Sequence, residues 1–386
     1  MGIEDFVKQA LSSNAASAAV SSNVSQSQPR IGAASQLITE NATPAQVDEA
    51  DSNEKINITV IGVGGGGCNT INRISKGGIK TARTIAVNTD AVHLRATAAD
   101  AKILIGKDQT RGLGAGGYPE VAKRCAEASR HEVEEALGRT ELVFLCAGMG
   151  GGTGTGATPI IADIAKKSGA IVVAAVTYPF ALERIRAKKA LVGIQELQKV
   201  CDTVIIIDNN KLVSYVPNLP INDAFNLADA ITARAVKGIA DTIILPSLIN
   251  IDFADIKAIM GKGGISMISV GEGKGTNRIA DVVRSTINQP LLDVDTYGAK
   301  GALLHICGGD SLTLGEALEV GEGLTAEFDE KANVIWGARI DPQMKDEVYV
   351  TSIITGVKSP NILGNYEKEK EDNKVPMPSE LRSIGF

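Results

Sequence analysis

The sequence predicts an α/β fold, in which a Rossmann-like domain built on a parallel sheet is followed by a long helix and a smaller α+β domain. Three observations carry this prediction. A buried apolar strand, Leu142–Ala147, runs into a loop with six glycines in nine residues, and helical periodicity follows. A second apolar strand ends in another glycine run at 62–67. Apolar residues then recur at every fourth position within 223–244, which indicates one long helix.

Composition divides the 386 residues into five segments. The leader, 1–54, is rich in Ser, Ala, Asn and Gln, which is typical of disorder, and it begins with a short amphipathic stretch. That stretch fits a helix docked on a partner or a membrane surface as well as it fits a frayed terminus. A first domain over 55–222, the long helix over 223–245 and a second domain over 246–357 follow. A flexible tail, 358–386, joins a charged run to an apolar peptide.

Charge and hydropathy argue against several classes of protein. The formal net charge is −6, whereas a nucleic-acid-binding domain would present a basic face. No apolar stretch approaches the roughly 18 residues that a membrane-spanning helix needs, and no secretion signal is recognisable. The five cysteines lie far apart without a Cys-x-x-Cys pair, as expected of buried thiols in a reducing cytosol. We therefore expect a cytoplasmic protein with no nucleic-acid partner and no direct membrane span.

The glycine-rich loop Gly148–Gly156 is the strongest indication of function in the chain. Without β-carbons the loop lets an anion approach its backbone, and the N–H groups of the following helix point toward that anion. Thr153 and Thr155 add hydroxyl donors, so a phosphate chain is the expected ligand. The loop lacks the Gly-Lys-Ser/Thr ending of a Walker loop, and a flexible linker is the structural alternative. The stretch GGGTGTG resembles the signature of the tubulin and FtsZ family of self-assembling GTPases.

Two further glycine loops fit the same family. Gly64–Gly67 and Asn69 follow an apolar strand, at the place where the family's first loop lies over the diphosphate and the nucleoside. The glycines at 62, 64 and 67 also satisfy GxGxxG, which leaves a Rossmann-type NAD-dependent oxidoreductase as an alternative. The segment Gly114–Gly116 resembles the family's γ-phosphate-sensing loop.

Another strand, Thr84–Val87, ends in Asn88 and Asp90, at the carboxyl end where ligands bind in open α/β sheets. Asp90 either acts through water on a bound Mg²⁺ or caps the next helix, and the spacing allows both. The cofactors that the resemblance implies are GTP or GDP together with Mg²⁺.

The resemblance places the ribose and base contacts in later segments. The stretch 179–186 is similar to the family pattern PFxxEGxxxR, with Glu183 on the ribose, although Arg184 replaces the usual Gly and Arg186 falls one residue early. A solvated helix start is the alternative there. Asn209 aligns with the family's guanine-reading Asn, while Phe225 and Asp229 lie four residues apart on one helical face. An aromatic ring can stack on a purine, and a carboxylate can accept both N–H donors of guanine.

The predicted nucleotide contacts share one kind of position, after a strand or at the start of the long helix. They are Gly64, Gly65, Gly66, Gly67, Asn69, Asn88, Asp90, Gly114, Ala115, Gly116, Gly148, Gly150, Gly151, Gly152, Thr153, Gly154, Thr155, Glu183, Arg186, Asn209, Phe225 and Asp229.

The catalytic prediction rests on Asn250, Asp252 and Asp255, which match NxDxxD, the synergy loop of the family. Asp252 could alternatively cap the helix predicted over Phe253–Met260. This loop follows the long helix, about 30 Å in length, and so lies far from the glycine loops of its own chain. It can complete the phosphate site of a neighbour instead. Such a head-to-tail contact does not close, and we therefore expect a filament.

The sequence of the second domain predicts the order strand, helix, strand, helix, strand, strand over about 263–355. It contains no recognisable set of catalytic residues. His305 lies in an apolar strand, and we expect a core histidine with its hydrogen bonds satisfied.

The resemblance spans about 56–357, with each signature segment in order. It implies a GTPase that polymerises with itself into the prokaryotic division ring at mid-cell. The peptide Val375–Phe386 is loosely similar to the family's recruitment peptide, which implies a membrane-anchoring division protein as a partner. The long leader and the shortened Glu183–Arg186 spacing favour an archaeal member. A tubulin-like scaffold with little hydrolysis is the structural alternative, beside the oxidoreductase.

Overall fold

The strands in the described part of the chain form one ten-stranded sheet, and the predicted α/β fold class is confirmed. The computed structural model describes residues 56–211, 220–244, 249, 252–261, 265–288 and 299–357. The predictions for the leader, for Asn250 and for the tail lie outside the described residues. No helix in the described ranges is both long and apolar enough to cross a membrane.

The strands and helices alternate through the first part of the chain. The strands are β1 Ile58–Val63, β2 Arg83–Asn88, β3 Ala101–Leu104, β4 Leu142–Gly148, β5 Ile171–Tyr178, β6 Thr203–Asp208, β7 Ile265–Lys274, β8 Gly301–Gly308, β9 Asn333–Ile340 and β10 Glu347–Thr355. The α-helices are α1 Gly64–Lys76, α2 Ala91–Ala96, α3 Lys107–Thr110, α4 Pro119–Ala128, α5 Arg130–Leu137, α6 Thr153–Lys167, α7 Arg184–Val200, α8 Ile221–Ile244, α9 Phe253–Met260, α10 Arg278–Asn288 and α11 Leu314–Thr325.

Strands β1 to β6 are all parallel, in the order β3-β2-β1-β4-β5-β6. The central strands are apolar along their whole length, because helices cover both faces of the sheet; β1 and β6 are buried at every position. Two core clusters result, one on each face. Parallel strands also end at one common edge, so the loops that follow β1, β2, β4, β5 and β6 meet there.

The second half of the sheet joins the first through a short parallel contact. Residues Val204 and Ile205 of β6 pair with Ile265 and Ser266 of β7. Beyond β7 the order is β10, β8, β9, with the pairs β7–β10 and β10–β8 antiparallel and β8–β9 parallel. The predicted order of strands and helices is the observed one, but the sequence does not show that the two sheets are continuous.

Helix α8 lies across this junction and links the two halves. Its 24 residues span about 36 Å, and its buried residues Leu227, Ile231 and Ile239 belong to the core on one face of the sheet. The i+4 spacing noted in the sequence therefore marks the buried side of this helix.

Three predicted helices have different boundaries in the structure. The sequence pattern predicts two of them over 70–75 and 157–167, but α1 begins at Gly64 and α6 at Thr153, because the glycine and threonine residues form the first turns. Helix α6 also contains Pro159. The single helix predicted over 119–137 breaks at Ser129, which leaves helical geometry with ψ 19°.

His305 corrects one prediction about the core. It is buried as expected, with 8% of its surface exposed, but neither ring nitrogen has a hydrogen-bond partner among the described residues. Burial, with the nearby Arg339 adding to it, lowers the pKa of this imidazole to about 4. The ring is therefore neutral at physiological pH and is not the satisfied histidine that the strand pattern predicted.

Candidate functional site

A cleft of about 410 Å³ opens at the carboxyl edge of the parallel strands. Its lining comes from the ends of β1, β4, β5 and β6 and from the start of α8. The residues that line it are Gly65, Gly66, Asn69, Gly148, Met149, Gly151, Gly152, Thr153, Gly154, Thr177, Pro179, Glu183, Arg186, Asn209, Phe225, Ala228 and Asp229. Most of the predicted nucleotide contacts are thus brought to one place.

The glycine loops pack directly against one another. A β-carbon on Gly64 would lie 2.8 Å from the backbone nitrogen of Gly154, and one on Gly66 would lie 3.2 Å from the Cα of Gly148. At Gly152 it would lie 3.0 Å from the nitrogen of Tyr118, in the loop before α4. These contacts favour glycine whatever the ligand, most strongly at Gly64, which also has a positive φ of 72°. A β-carbon on Gly151, in contrast, would meet nothing within 4 Å, so this residue presents open backbone to the cleft.

The two predicted threonine donors have different roles in the structure. The Thr155 hydroxyl is buried and accepts a hydrogen bond from the Gly150 N–H at 2.8 Å, so it shapes the loop from inside. Thr153 lines the cleft, and its hydroxyl lies 2.8 Å from that of Thr89. Thr153 is therefore placed toward a ligand, and Thr155 is not.

Helices α1 and α6 both begin at this cleft. Neither has an acidic residue in its first turn, and neither receives a side-chain cap. Their first N–H groups and the positive ends of two helix dipoles are consequently left to attract an anion from outside the chain. The open glycine backbone and these two helix ends fit a polyphosphate.

The opposite end of the cleft fits a base. Asn209 is buried, and its Oδ1 has no hydrogen-bond partner among the described residues. Phe225 is 45% exposed and packs edge-on against Phe180 with ring centroids 5.4 Å apart, so its outer face is open to stacking. A lone Phe in an amphipathic helix would be expected in the core, and this one is at the surface.

Asp229 lies on the floor of this end. Burial raises the pKa of its carboxyl group to about 7, although Arg73 and the Thr70 hydroxyl act in the opposite direction. The Thr70 hydroxyl lies 3.3 Å from Asp229 Oδ1. A carboxylate held in a partly dry pocket gains most when a ligand donates hydrogen bonds to it.

Glu183 and Arg186 form an ion pair on the rim, with Arg186 Nη1 2.6 Å from Glu183 Oε2. The other Glu183 oxygen accepts from the Phe180 N–H at 3.1 Å. Both side chains line the cleft, so the shortened spacing in the sequence does not remove Arg186 from it.

Several predicted contacts are turned away from the cleft. Asn88 is 2% exposed, and its Oδ1 accepts from the N–H groups of Thr89 and Asp90 in its own turn. Asp90 caps α2, accepting from the N–H groups of Val92 and His93, which is the alternative weighed for it.

The remaining predicted contacts are close by. Asn69 lines the cleft and is paired with His93 at 3.0 Å, while Ala115 is buried beside Gly152. Gly67 packs against the Cys146 carbonyl, Gly150 against Arg186, and Gly114 and Gly116 take positive φ in the loop before α4.

Magnesium would depend on few protein groups. The described residues contain no set of three or more His, Cys, Asp or Glu placed to hold a metal ion. This is compatible with Mg²⁺, which keeps several waters and is held largely by substrate phosphates.

The acidic residues of the synergy loop lie at the far end of the sheet. Asp252 is exposed and caps α9, with its Oδ1 accepting from the Asp255 N–H at 2.7 Å. Phe253 and Lys257 of this helix line a seam with Ile171 and Gly169, at the amino end of β5. The length of a seven-residue strand, about 20 Å, therefore separates this helix from the cleft.

Sequence reasoning missed Thr70, Arg73 and Thr89. Arg73 donates to Asn226 at 3.2 Å, and Thr70 contacts Asp229, so the first glycine helix supports the base end. The i, i+3 spacing of Thr70 and Arg73 was visible, but the partner helix lies about 150 residues later in the chain.

Comparisons with known proteins agree with this geometry. Residues 57–217 match the family model "Tubulin/FtsZ family, GTPase domain", and residues 264–358 match "FtsZ family, C-terminal domain". The chain is 61% identical over 316 residues to Cell division protein FtsZ 2 of Methanocaldococcus jannaschii, covering 81% of this chain and 83% of that protein.

Solved structures show the same likeness. A structure titled "FtsZ dimer, empty" from M. jannaschii superposes with a TM-score of 0.75 at 48% identity, covering 78% of this chain and 88% of that one. The GTPγS-bound CetZ2 protofilament of Haloferax volcanii, at 21% identity, gives 0.69 over 82% of this chain and 98% of that chain, and shows the shared fold. These findings give no support to the oxidoreductase alternative. With both of its domains matched in order, the chain belongs to the tubulin/FtsZ family of GTPases.

Proposed function

We propose that this protein binds GTP in the cleft and hydrolyses it only when a second copy, docked head-to-tail, supplies Asp252 and Asp255. The observation that carries the proposal is the position of these two acids, at the amino edge of a parallel sheet whose carboxyl edge holds the cleft. No rotation of side chains bridges about 20 Å. A contact between opposite ends of identical chains repeats without closing and produces a filament.

The sheet order supports one direction for the nucleotide in the cleft. Asn209 follows β6, and the base end of the cleft lies there together with the start of α8. Gly148–Gly154 follows β4, and the turn with Thr89 follows β2. From β6 to β2 is four strand spacings, about 19 Å, a span suited to an extended nucleoside triphosphate. The terminal phosphate then points toward Thr89 and the loop before α4.

The base pocket favours guanine by its donor and acceptor pattern. The Asp229 carboxylate can accept both the ring N–H and the amino group of guanine, and the unpartnered Oδ1 of Asn209 offers one further acceptor. Adenine presents neither the same ring N–H nor a carbonyl. A buried polar site rejects a base that leaves its groups unpaired.

In the assembled site the acids of the neighbour orient water. Asp252 uses one oxygen to cap α9, and this fixes the start of the helix that also carries Asp255. Phosphoryl transfer needs mainly positioning and charge stabilisation, which the helix ends of α1 and α6 and the open backbone of Gly151 would supply around the phosphates. Bound Mg²⁺ would add charge neutralisation there, held largely by the phosphates themselves.

Exposed apolar side chains surround the cleft and support a docked neighbour. We call them the apolar rim: Val92, Leu113, Tyr118, Leu182, Ile185 and Phe225. Leu182 is 90% exposed and Leu113 is 84% exposed. They make up most of the exposed large hydrophobic side chains among the described residues, and clustering of this kind marks a protein interface. The partner that the rim fits is the α9 end of another copy.

The family resemblance extends the proposal to the cell. Filaments of this chain would form the division ring, and the tail peptide Val375–Phe386 would bind a membrane-anchoring protein at mid-cell. The tail lies outside the described residues, so the role proposed for it rests on the sequence.

The test of shared catalysis is complementation. Asp255→Ala should bind GTP nearly as well as the wild type and hydrolyse it poorly, and Gly152→Ser should damage the cleft, because a β-carbon there meets the Tyr118 backbone. In a mixed filament the intact acids of the Gly152→Ser protein meet the intact cleft of the Asp255→Ala protein. We expect the mixture to regain turnover, and the wild-type rate per molecule to rise with protein concentration.

Sedimentation must first show that the two variants co-assemble. Co-assembled mixtures that remain inactive, together with a wild-type rate per molecule that does not depend on concentration, would show catalysis within one chain.

A further inference from the structure

The loop before α4, residues 112–117, is rich in glycine, so its sequence allows many backbone conformations. Gly112, Gly114, Gly116 and Gly117 all adopt positive φ, between 60° and 86°. Four such residues in six lose much conformational freedom when the loop is ordered, so its shape depends on contacts from outside.

The first half of this loop is anchored on the turn after β2. The Ala91 N–H donates to the Gly112 carbonyl at 2.9 Å, and the Gly114 N–H donates to the Thr89 carbonyl at 3.1 Å. These bonds fix residues 112–114 to the sheet.

The second half is held from the opposite side of the cleft. Lys189, on α7, donates from its Nζ to the Gly117 carbonyl at 2.8 Å, and its ammonium lies 5.6 Å from the centre of the Tyr118 ring. In the described part of the chain, this is the one hydrogen bond that reaches residues 115–117 from another secondary-structure element.

We propose that Lys189 is a positioning residue, which holds the loop 112–117 against the phosphate end of the cleft and thereby favours the triphosphate over the diphosphate. The anchored backbone is the part that packs on the phosphate loop: a β-carbon on Gly152 would lie 3.1 Å from the Gly117 nitrogen. Lys189 therefore acts through Gly117 and Tyr118 and does not itself touch the nucleotide.

The effect falls on the terminal phosphate because of where the loop lies. This step rests on the proposed function, in which the base binds after β6 and the phosphates extend toward β2. The loop 112–117 is bonded to Thr89, directly after β2, and so borders the last phosphate and not the base.

Helix α7 is a firm support for such a tether. A β-carbon on its Gly193 would lie 2.6 Å from Thr155 Cγ2, so the helix packs closely on the start of α6. The loop 112–117, the phosphate loop and α7 are thus in contact with one another, and among the described residues Lys189 supplies the one charged hydrogen bond to the loop 112–117.

The test compares Lys189→Met, Lys189→Arg and Lys188→Met. Methionine keeps an apolar stem over Tyr118 and removes the ammonium, whereas arginine restores a charged donor. Lys188 is an exposed neighbour that has no hydrogen bond or ion pair with the described residues. Dissociation constants for GDP and for a slowly hydrolysed GTP analogue are measured on each full-length chain. One charged hydrogen bond leads us to expect that Lys189→Met binds the triphosphate about three- to tenfold more weakly.

GDP affinity should change less than about twofold in Lys189→Met, Lys189→Arg should restore triphosphate binding, and Lys188→Met should behave as wild type. Equal weakening for both nucleotides, or the same loss in Lys188→Met, would overturn the proposal.

Hydrogen exchange of nucleotide-free protein separates this proposal from the proposed function. Lys189→Met should exchange faster than wild type and Lys188→Met in the peptide containing residues 115–118, whether or not the protein binds GTP. Unchanged exchange there would refute the tether itself. Failure of the wild type to bind either nucleotide would refute only the proposed function.

Discussion

The Asp229 carboxylate on α8 lies 3.3 Å from the Thr70 hydroxyl on α1, and this contact joins the central helix to the first glycine helix at the floor of the cleft. The same Thr70 oxygen lies 3.3 Å from the Gly66 carbonyl. The base end and the phosphate end of the site are therefore connected through one turn of helix.

Asp229→Asn should change the base that the protein selects. An amide offers one acceptor and one donor where the carboxylate offers two acceptors, so guanine loses a partner while xanthine, with a carbonyl in place of the amino group, gains one. We expect GTP affinity to fall by at least tenfold and XTP to bind better than GTP. Competition binding with GTP, XTP and ATP measures this.

ATP should compete poorly with GTP on the wild type in the same assay. If ATP and GTP bound the wild type within a few-fold of each other, the assignment of Asn209, Phe225 and Asp229 to a guanine pocket would be wrong.

The raised pKa of Asp229 predicts how stability depends on pH. Burial raises this pKa from 3.8 to about 7 in the nucleotide-free protein, so folding holds a proton that the unfolded chain releases. The charged carboxylate consequently lowers stability as pH rises from about 4 through 7. Nucleotide-free Asp229→Asn should unfold at a higher temperature than wild type at pH 8, with the difference shrinking toward pH 4. A difference that is constant across this range would exclude Asp229 as its cause.

Leu182→Asp should prevent assembly and leave nucleotide binding intact. This side chain is 90% exposed beside the cleft, and a carboxylate placed in an apolar interface costs desolvation free energy. We expect sedimentable polymer and GTP turnover both to fall by tenfold or more, with GTP affinity within about twofold of wild type. Val192→Asp is the matched control, because Val192 is 52% exposed on α7 but is not part of the apolar rim.

An equal loss of assembly in Val192→Asp, or normal filaments in Leu182→Asp, would argue against the apolar rim as the docking surface.

Removal of residues 375–386 should leave GTP turnover unchanged and abolish recruitment to the membrane. The peptide follows a charged run and lies outside all the segments that form the cleft and α9. Turnover of the purified truncated chain and the position of a fluorescent fusion in cells measure the two effects. A truncated chain that has lost turnover would contradict the separate role of the tail.

The sequence by itself determined the fold class, and it predicted the glycine loops that the structure brings to the cleft. Apolar runs followed by glycine and then by helical periodicity are local patterns. The conformational preferences of these residues determine that a strand, a loop and a helix follow one another. The proximity of Phe225 and Asp229 could also be predicted from the sequence, because residues four apart lie about one helical turn apart whatever the rest of the fold.

Only the tertiary structure decided what each residue faces. Gly151 presents open backbone to the cleft while Gly152 packs on the loop before α4, because these contacts depend on segments brought together from distant parts of the chain. The contact of Lys189 with Gly117, 72 residues away, produces no periodic pattern in the sequence. The spacing of residues along the sequence describes one helix or strand at a time. The site forms where several helices and strands meet, and the packing between these elements determines its geometry.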